Sequence, residues 1–193
     1  MDLNLVMLKN NMTKKLVFLG DSMLGRIDQE QIDYIRSKIP DLTIYNKAEG
    51  GISTKQGIEK INEVLELRPD YILLSFGIND LWNEKMPKDE FITNLKSIIN
   101  SSDGTKVIFW CVPPVNDLKD LDGTKQFNEQ LGILFDEVKK LSANDGIEII
   151  DSFSEYKDIQ DGDDTIHQED GVHLTKEGYQ PFFEALIKKI SLI

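Results

Sequence analysis

Short apolar runs alternate with helical periodicities along the whole chain. Leu16-Val17-Phe18-Leu19 is continuously apolar, the pattern of a strand buried on both faces of a parallel sheet, and it places a first strand over Lys15–Gly20. Gln29–Ile39 repeats Ile32, Ile35 and Ile39 on one helical face and stops at Pro40. Leu42–Asn46 reads as a short second strand. Ser53 or Thr54 caps the next helix, and Ser53 with Gln56 three residues on has the spacing of a capping box. That helix turns Ile58, Ile61 and Leu65 inward and ends before Pro69. Tyr71–Phe76 is a third strand ending in Gly77. Pro87 opens a helix at the position proline tolerates best, with a stripe of Phe91, Ile92, Leu95, Ile98 and Ile99. Val107–Val112 is a fourth strand, stopped by Pro113-Pro114. Phe127, Leu131, Leu134, Phe135, Val138 and Leu141 mark a long amphipathic helix, and Ile147–Ile150 a fifth strand. Thr175–Ile190, burying Tyr179, Phe182, Phe183, Leu186 and Ile190, is the last helix.

Strands that alternate with helices imply right-handed crossovers and a parallel sheet covered on both faces. No repeat, low-complexity tract or linker interrupts the pattern. Residues 14–193 therefore read as one domain, and 1–13 as a frayed leader with Met12 a second plausible start. In such a sheet the loops that follow strands gather at one edge, where open α/β sheets place ligands. Four stretches meet that condition: Ser22, Gly50-Gly51, Gly77-Ile78-Asn79-Asp80, and Asp170-Gly171-Val172-His173.

Composition narrows the partners. The 193 residues are 40% hydrophobic and 29% charged, ordinary for a soluble domain with a sizeable core, and the net charge is −12. That much acid argues against nucleic acid, whose affinity comes from cations on phosphates, and against anionic membranes. The single cysteine, Cys111, excludes an internal disulfide and is expected to be a buried thiol. No signal peptide and no apolar run of membrane-spanning length are visible, so the expected location is cytoplasmic. Oligomeric state is not legible.

The four stretches carry residue types that suit acyl transfer. A serine hydroxyl is a weak nucleophile that needs a base, and the base needs a partner to set its tautomer. The chain has two histidines, each with an aspartate three residues before it: Asp164 for His167 and Asp170 for His173. Spacing alone leaves both pairs open. An oxyanion hole needs two or three donors. Backbone N–H groups at Ser22 and Gly51 and the side-chain NH2 of Asn79 are candidates.

Gly20-Asp21-Ser22, Gly51, Gly77-Ile78-Asn79-Asp80 and Asp170-Gly171-Val172-His173-Leu174 occur in the order of the four sequence blocks of the SGNH hydrolases, or GDSL esterase/lipase family. The chain resembles that family from the first strand to the last helix. The resemblance implies a three-layer α/β/α, flavodoxin-like fold on a five-stranded parallel sheet. It implies Ser22 as nucleophile, His173 as general base and then acid, and Asp170 as its orienter. The Ser22 and Gly51 N–H groups and the Asn79 amide become the oxyanion donors, and no metal or organic cofactor is needed. One block departs from the family's pattern: Ile52 stands where Asp is common, which leaves the choice between Gly50 and Gly51 open.

The expected activity is therefore hydrolysis of short-acyl esters of a small molecule or sugar through an acyl-enzyme. The alternatives are an acyltransferase using the same site and a non-catalytic flavodoxin-like binding module. No Gly-x-Ser-x-Gly elbow, phosphate-binding loop or calcium-loop spacing is present. Leu81, Trp82 and Met86, with Pro113, Pro114, Val115 and Leu118, are the expected apolar walls of the acyl site.

Overall fold

The computed structural model describes residues 13–102, 104–116, 121–156 and 165–192. Of the expected leader only Thr13 falls within them, and Leu118 and Asp164 lie outside. Five parallel strands form one sheet: β1 (Lys14–Gly20), β2 (Leu42–Asn46), β3 (Tyr71–Ser75), β4 (Lys106–Cys111) and β5 (Glu148–Asp151). Their spatial order is β2-β1-β3-β4-β5. The chain steps one way from β1 to β2 and the other way from β1 to β3. The ends of β1 and β3 thus flank the crevice where the winding direction reverses. Gly20 is in register with Ser75, so the two strands finish side by side.

The long helices are α2 (Gln29–Lys38), α3 (Thr54–Glu66), α5 (Lys88–Ser101), α6 (Leu121–Asp145) and α8 (Lys176–Leu192). Consecutive residues of β4 show the layering directly, because strand side chains alternate between faces. Phe109 packs edge-on against Phe135 of α6, with ring centroids 6.2 Å apart. Its neighbour Trp110 stacks on Phe182 of α8 at 3.9 Å. Helices α3 and α5 pack together on the α6 side, and α2 packs against α8 on the other. The interiors of the three central strands β1, β3 and β4 are buried, as their continuous apolar runs require, while the edge strands β2 and β5 are mostly half-buried. Each fully buried apolar side chain is worth about 1.5–3 kcal/mol of transfer free energy.

Three short helices escaped the periodicity: α1 (Ser22–Gly25), α4 (Ile78–Trp82) and α7 (Ser152–Glu155). Each starts within three residues of a strand's end and is too short for an apolar repeat to register. Ser53 is the N-cap of α3 and exchanges both capping-box hydrogen bonds with Gln56. Pro87 stands one residue earlier than expected, as the N-cap of α5 rather than its first helical residue.

Candidate active site

Ser22 opens α1 directly beyond β1. The approach of β3 explains the glycine before it. A Cβ on Gly20 would run into the carbonyl oxygen of Ser75, the atom that accepts the Asp21 N–H at 3.2 Å. Gly20 is thus required for the close approach of the two strands. Asp21 caps α1 through Oδ1, which accepts the Met23 N–H at 2.9 Å. It is 1% exposed. Burial, helped by the charge of Asp80, pushes its carboxyl up to about 7 against the pull of the Met23 N–H. The turn is pinned from two further directions. Asn46 Nδ2 donates to the Leu24 carbonyl, and the buried Tyr179 hydroxyl of α8 donates to the Met23 carbonyl at 2.7 Å.

The loop before α8 delivers His173 to Ser22. Nε2 of His173 lies 2.8 Å from Ser22 Oγ, and Nδ1 lies 2.6 Å from Asp170 Oδ2. Asp170 Oδ1 accepts the backbone N–H groups of Val172 and His173 at 3.0 and 2.8 Å. Burial raises the Asp170 carboxyl, but the backbone N–H and ring of His173, with the Val172 N–H, outweigh it and hold it at about 2. An ionised carboxylate can only accept, so Nδ1 carries the proton and Nε2 is left to accept from the serine hydroxyl. His167 instead forms a β-bridge with Leu174, and its expected partner Asp164 lies outside the described residues.

Sequence reasoning missed what holds this loop. The Asn116 N–H donates to the Gly171 carbonyl at 2.6 Å, and the Gln168 N–H to the His173 carbonyl at 2.7 Å. Gln168 Nε2 donates to the Leu174 carbonyl. Arg26, one turn after Ser22, donates to Gln168 Oε1 at 3.1 Å and places a cation 3.9 Å from Asp170 Oδ2. The only advance sign was a cation four residues after the serine.

The loop after β2 runs beside Ser22, and the helix after β3 is tied to that loop. A Cβ on Gly50 would lie 3.8 Å from the Ser22 Cβ. Gly51 takes φ +84°, a conformation L side chains rarely adopt, and is exposed. Asn79, on α4, donates one amide hydrogen to the Ile52 carbonyl at 3.2 Å, while its Oδ1 accepts from Asn83 at 2.9 Å. A carbonyl can only accept, so these contacts fix which end of the amide is NH2 and leave its second hydrogen for a ligand. Ile52 itself is buried, its side chain in the core and its carbonyl steadying Asn79.

Asp80 ties the two loops together. It is fully buried and accepts from the Thr54 N–H at 2.9 Å, the Thr54 hydroxyl at 2.5 Å and the Gly77 N–H at 3.0 Å. Burial pushes its carboxyl up and those donors pull it back. Met86 is not an acyl wall: it is buried beneath this network, with its sulfur 3.5 Å from the Thr54 hydroxyl. Pro113, Pro114 and Val115 are buried as well, which leaves Leu81 half-buried and Trp82 exposed. Cys111 is buried, and burial pushes its thiol far up.

Ser22, His173 and Asp170 thus stand in hydrogen-bonded sequence at the sheet's switch point. The chain belongs to the GDSL-like lipase/acylhydrolase family, whose sequence profile matches residues 18–180, and it is an ester-hydrolysing enzyme of that family. Comparison with curated proteins gives no match. Among the solved structures that share the fold are three with these likenesses. A member of the lipolytic protein G-D-S-L family from Veillonella parvula is 18% identical, with TM-score 0.76 over 93% of this chain and 100% of that one. A GDSL-like lipase from Bacteroides thetaiotaomicron is 19% identical, with TM-score 0.74 over 92% and 89%. An acetylxylan esterase from Geobacillus stearothermophilus is 19% identical, with TM-score 0.74 over 92% and 94%. Among the described residues no helix is long and apolar enough to cross a membrane.

Proposed function

We propose that the protein is a serine esterase that removes short acyl groups, acetyl above all, from a small-molecule or carbohydrate ester. The observation that carries this reading is the continuous chain Ser22 Oγ, His173 Nε2, His173 Nδ1, Asp170 Oδ2, with separations of 2.8 and 2.6 Å at its two hydrogen bonds. Ser22 attacks the ester carbonyl as His173 takes its proton. The tetrahedral oxyanion is held by the Ser22 N–H, the Gly51 N–H and the Asn79 amide. His173 then returns the proton to the leaving alcohol, and water repeats the sequence on the acyl-enzyme. Asp170 stays ionised throughout and stabilises the imidazolium that forms. The fold shared with an acetylxylan esterase is compatible with an acetylated sugar as substrate.

The donors should act on the transition state more than on bound ester, because the oxyanion exists only there. Asn79→Ala is expected to lower kcat with little change in KM, by about 2.7–4 kcal/mol or some hundred- to thousandfold. Steady-state kinetics on a chromogenic acetate ester checks this. An unchanged kcat would leave Asn79 as a structural residue of α4.

The apolar residues expected to line an acyl channel are mostly committed to the core. Met86, Pro113, Pro114 and Val115 are all buried. Each methylene that finds a pocket is worth about 0.8 kcal/mol, and that gain stops where the pocket stops. For p-nitrophenyl esters, kcat/KM is expected to peak at about two to four carbons, an extrapolation from that burial term. A steady rise to about eight carbons or beyond would overturn the short-acyl reading and point to a lipase.

A further inference from the structure

A closed circuit of contacts starts and ends at Ser22, and one arc of it has no part in the chemistry described above. His173 touches Ser22 on one side, and Gly50 lies beside Ser22 on the other. The Gly50–Ile52 loop is joined to Asn79 through the Ile52 carbonyl. Trp82 follows Asn79 by three residues on α4, a spacing that puts two helical side chains on neighbouring positions of one face. The Trp82 indole meets Phe127 of α6 edge-on, with centroids 5.3 Å apart and planes at 61°. Asn128, the next residue, clamps both backbone groups of Val115, at 2.9 and 2.8 Å. Asn116 then closes the circuit on Gly171, two residues before His173.

Trp82 is the odd member of this rim. Among the described residues only three large hydrophobic side chains are exposed: Trp82 at 48%, Ile133 and Leu192. Trp82 alone of these stands one helical turn from the site. Holding about half of an indole in water forfeits apolar burial. The edge contact with Phe127 fixes its plane and leaves ring surface open. An open, rigid, amphipathic face suits a flat ligand that is itself half polar. It does not suit an alkyl chain, which gains only as it is enclosed.

Charge separates the remaining ligands. A net charge of −12 disfavours anionic lipid surfaces and phosphate-bearing thioesters as ligands. A neutral sugar ring carries no such penalty, and its C–H face can lie on the indole while its hydroxyls stay in water. Resting on the esterase reading above, we infer that Trp82, braced by Phe127, is the platform for the sugar ring of a neutral acetylated carbohydrate whose acetyl group is presented to Ser22. Trp82 thus determines specificity for the leaving alcohol and has no part in bond making.

The test compares two acetate esters, tri-O-acetyl methyl β-xylopyranoside and ethyl acetate, on the wild-type chain and on Trp82→Ala and Trp82→Phe. The expected result is that Trp82→Ala lowers the ratio of kcat/KM for the glycoside over ethyl acetate by at least about tenfold, the worth of roughly one stacked ring. The loss should fall on KM, and Trp82→Phe should recover most of it. The second tryptophan, Trp110, is buried and bonded to Ser152. Indole emission from Ser22→Ala should therefore change on adding the glycoside, and the change should vanish when Trp82→Phe is added. An unchanged ratio, or a loss confined to kcat, would overturn the inference while leaving the esterase intact. A wild-type chain that turns over ethyl acetate but not the glycoside would do the same. A wild-type chain that turns over neither ester would overturn the esterase reading itself.

Discussion

Ser22→Ala is expected to lower kcat on a chromogenic acetate ester by at least about a thousandfold, the largest effect of any single substitution in this chain. In the proposed mechanism this hydroxyl forms the bond to the acyl carbon. It lies 2.8 Å from an imidazole nitrogen whose tautomer is fixed from behind. Removing one oxygen atom from a half-buried position leaves Asp21, Gly20 and the Tyr179 anchor in place, so the variant should melt within a few degrees of the wild type. That separates lost chemistry from lost folding. A fluorophosphonate should add one mass increment to the wild-type chain, map to the peptide containing Ser22, and fail to label the variant. Labelling that survives the substitution would assign the nucleophile elsewhere.

His173→Ala should come second, again with kcat down by about a thousandfold or more, whereas His167→Ala should cost less than about threefold. The contrast is informative because the two histidines are alike in sequence. Each follows an aspartate by three residues. Among the described residues, His173 lies between a carboxylate and the serine, and its neighbour Asp170 is held ionised with the help of two backbone N–H groups. Without the imidazole the serine proton has no acceptor, and the ionised Asp170 faces an empty space. Kinetics of the two variants on the same ester decides the matter. Equal losses, or the larger loss at His167, would move the base to the other pair.

The architecture was legible because burial is written locally. Strands β1, β3 and β4 are apolar at successive positions, which is what a strand covered by helices on both faces requires. Their alternation with helical repeats leaves a parallel sheet as the solution. The five strands start and stop within two residues of the runs that announce them. Boundaries slipped where no periodicity exists, at α1, α4 and α7, which are each four or five residues long. Parallel connectivity also brings the residues after β1, β2 and β3 to one edge, so the grouping of Ser22, Gly51 and Asn79 follows from order along the chain.

What order along the chain does not contain is distance between elements. Ser22 and His173 are separated by 151 positions. Their contact depends on the register of β1 with β3, on Tyr179 anchoring α8 to α1, and on the Asn116 clamp on the Gly171 loop. The Asp80–Thr54 bridge, the Arg26–Gln168 contact and the Trp82–Phe127 pair are likewise invisible to any window of sequence. Each joins residues on different elements through side-chain reach. Gly20 shows the same division at a single residue: the sequence places it at the end of the first strand, and only the approach of Ser75 reveals why no side chain fits. Periodicity determines which face of an element is buried, because solvent exclusion acts on each element separately. The site was decided by tertiary packing, because hydrogen bonds and ring contacts fall off within ångströms and depend on where whole elements come to rest.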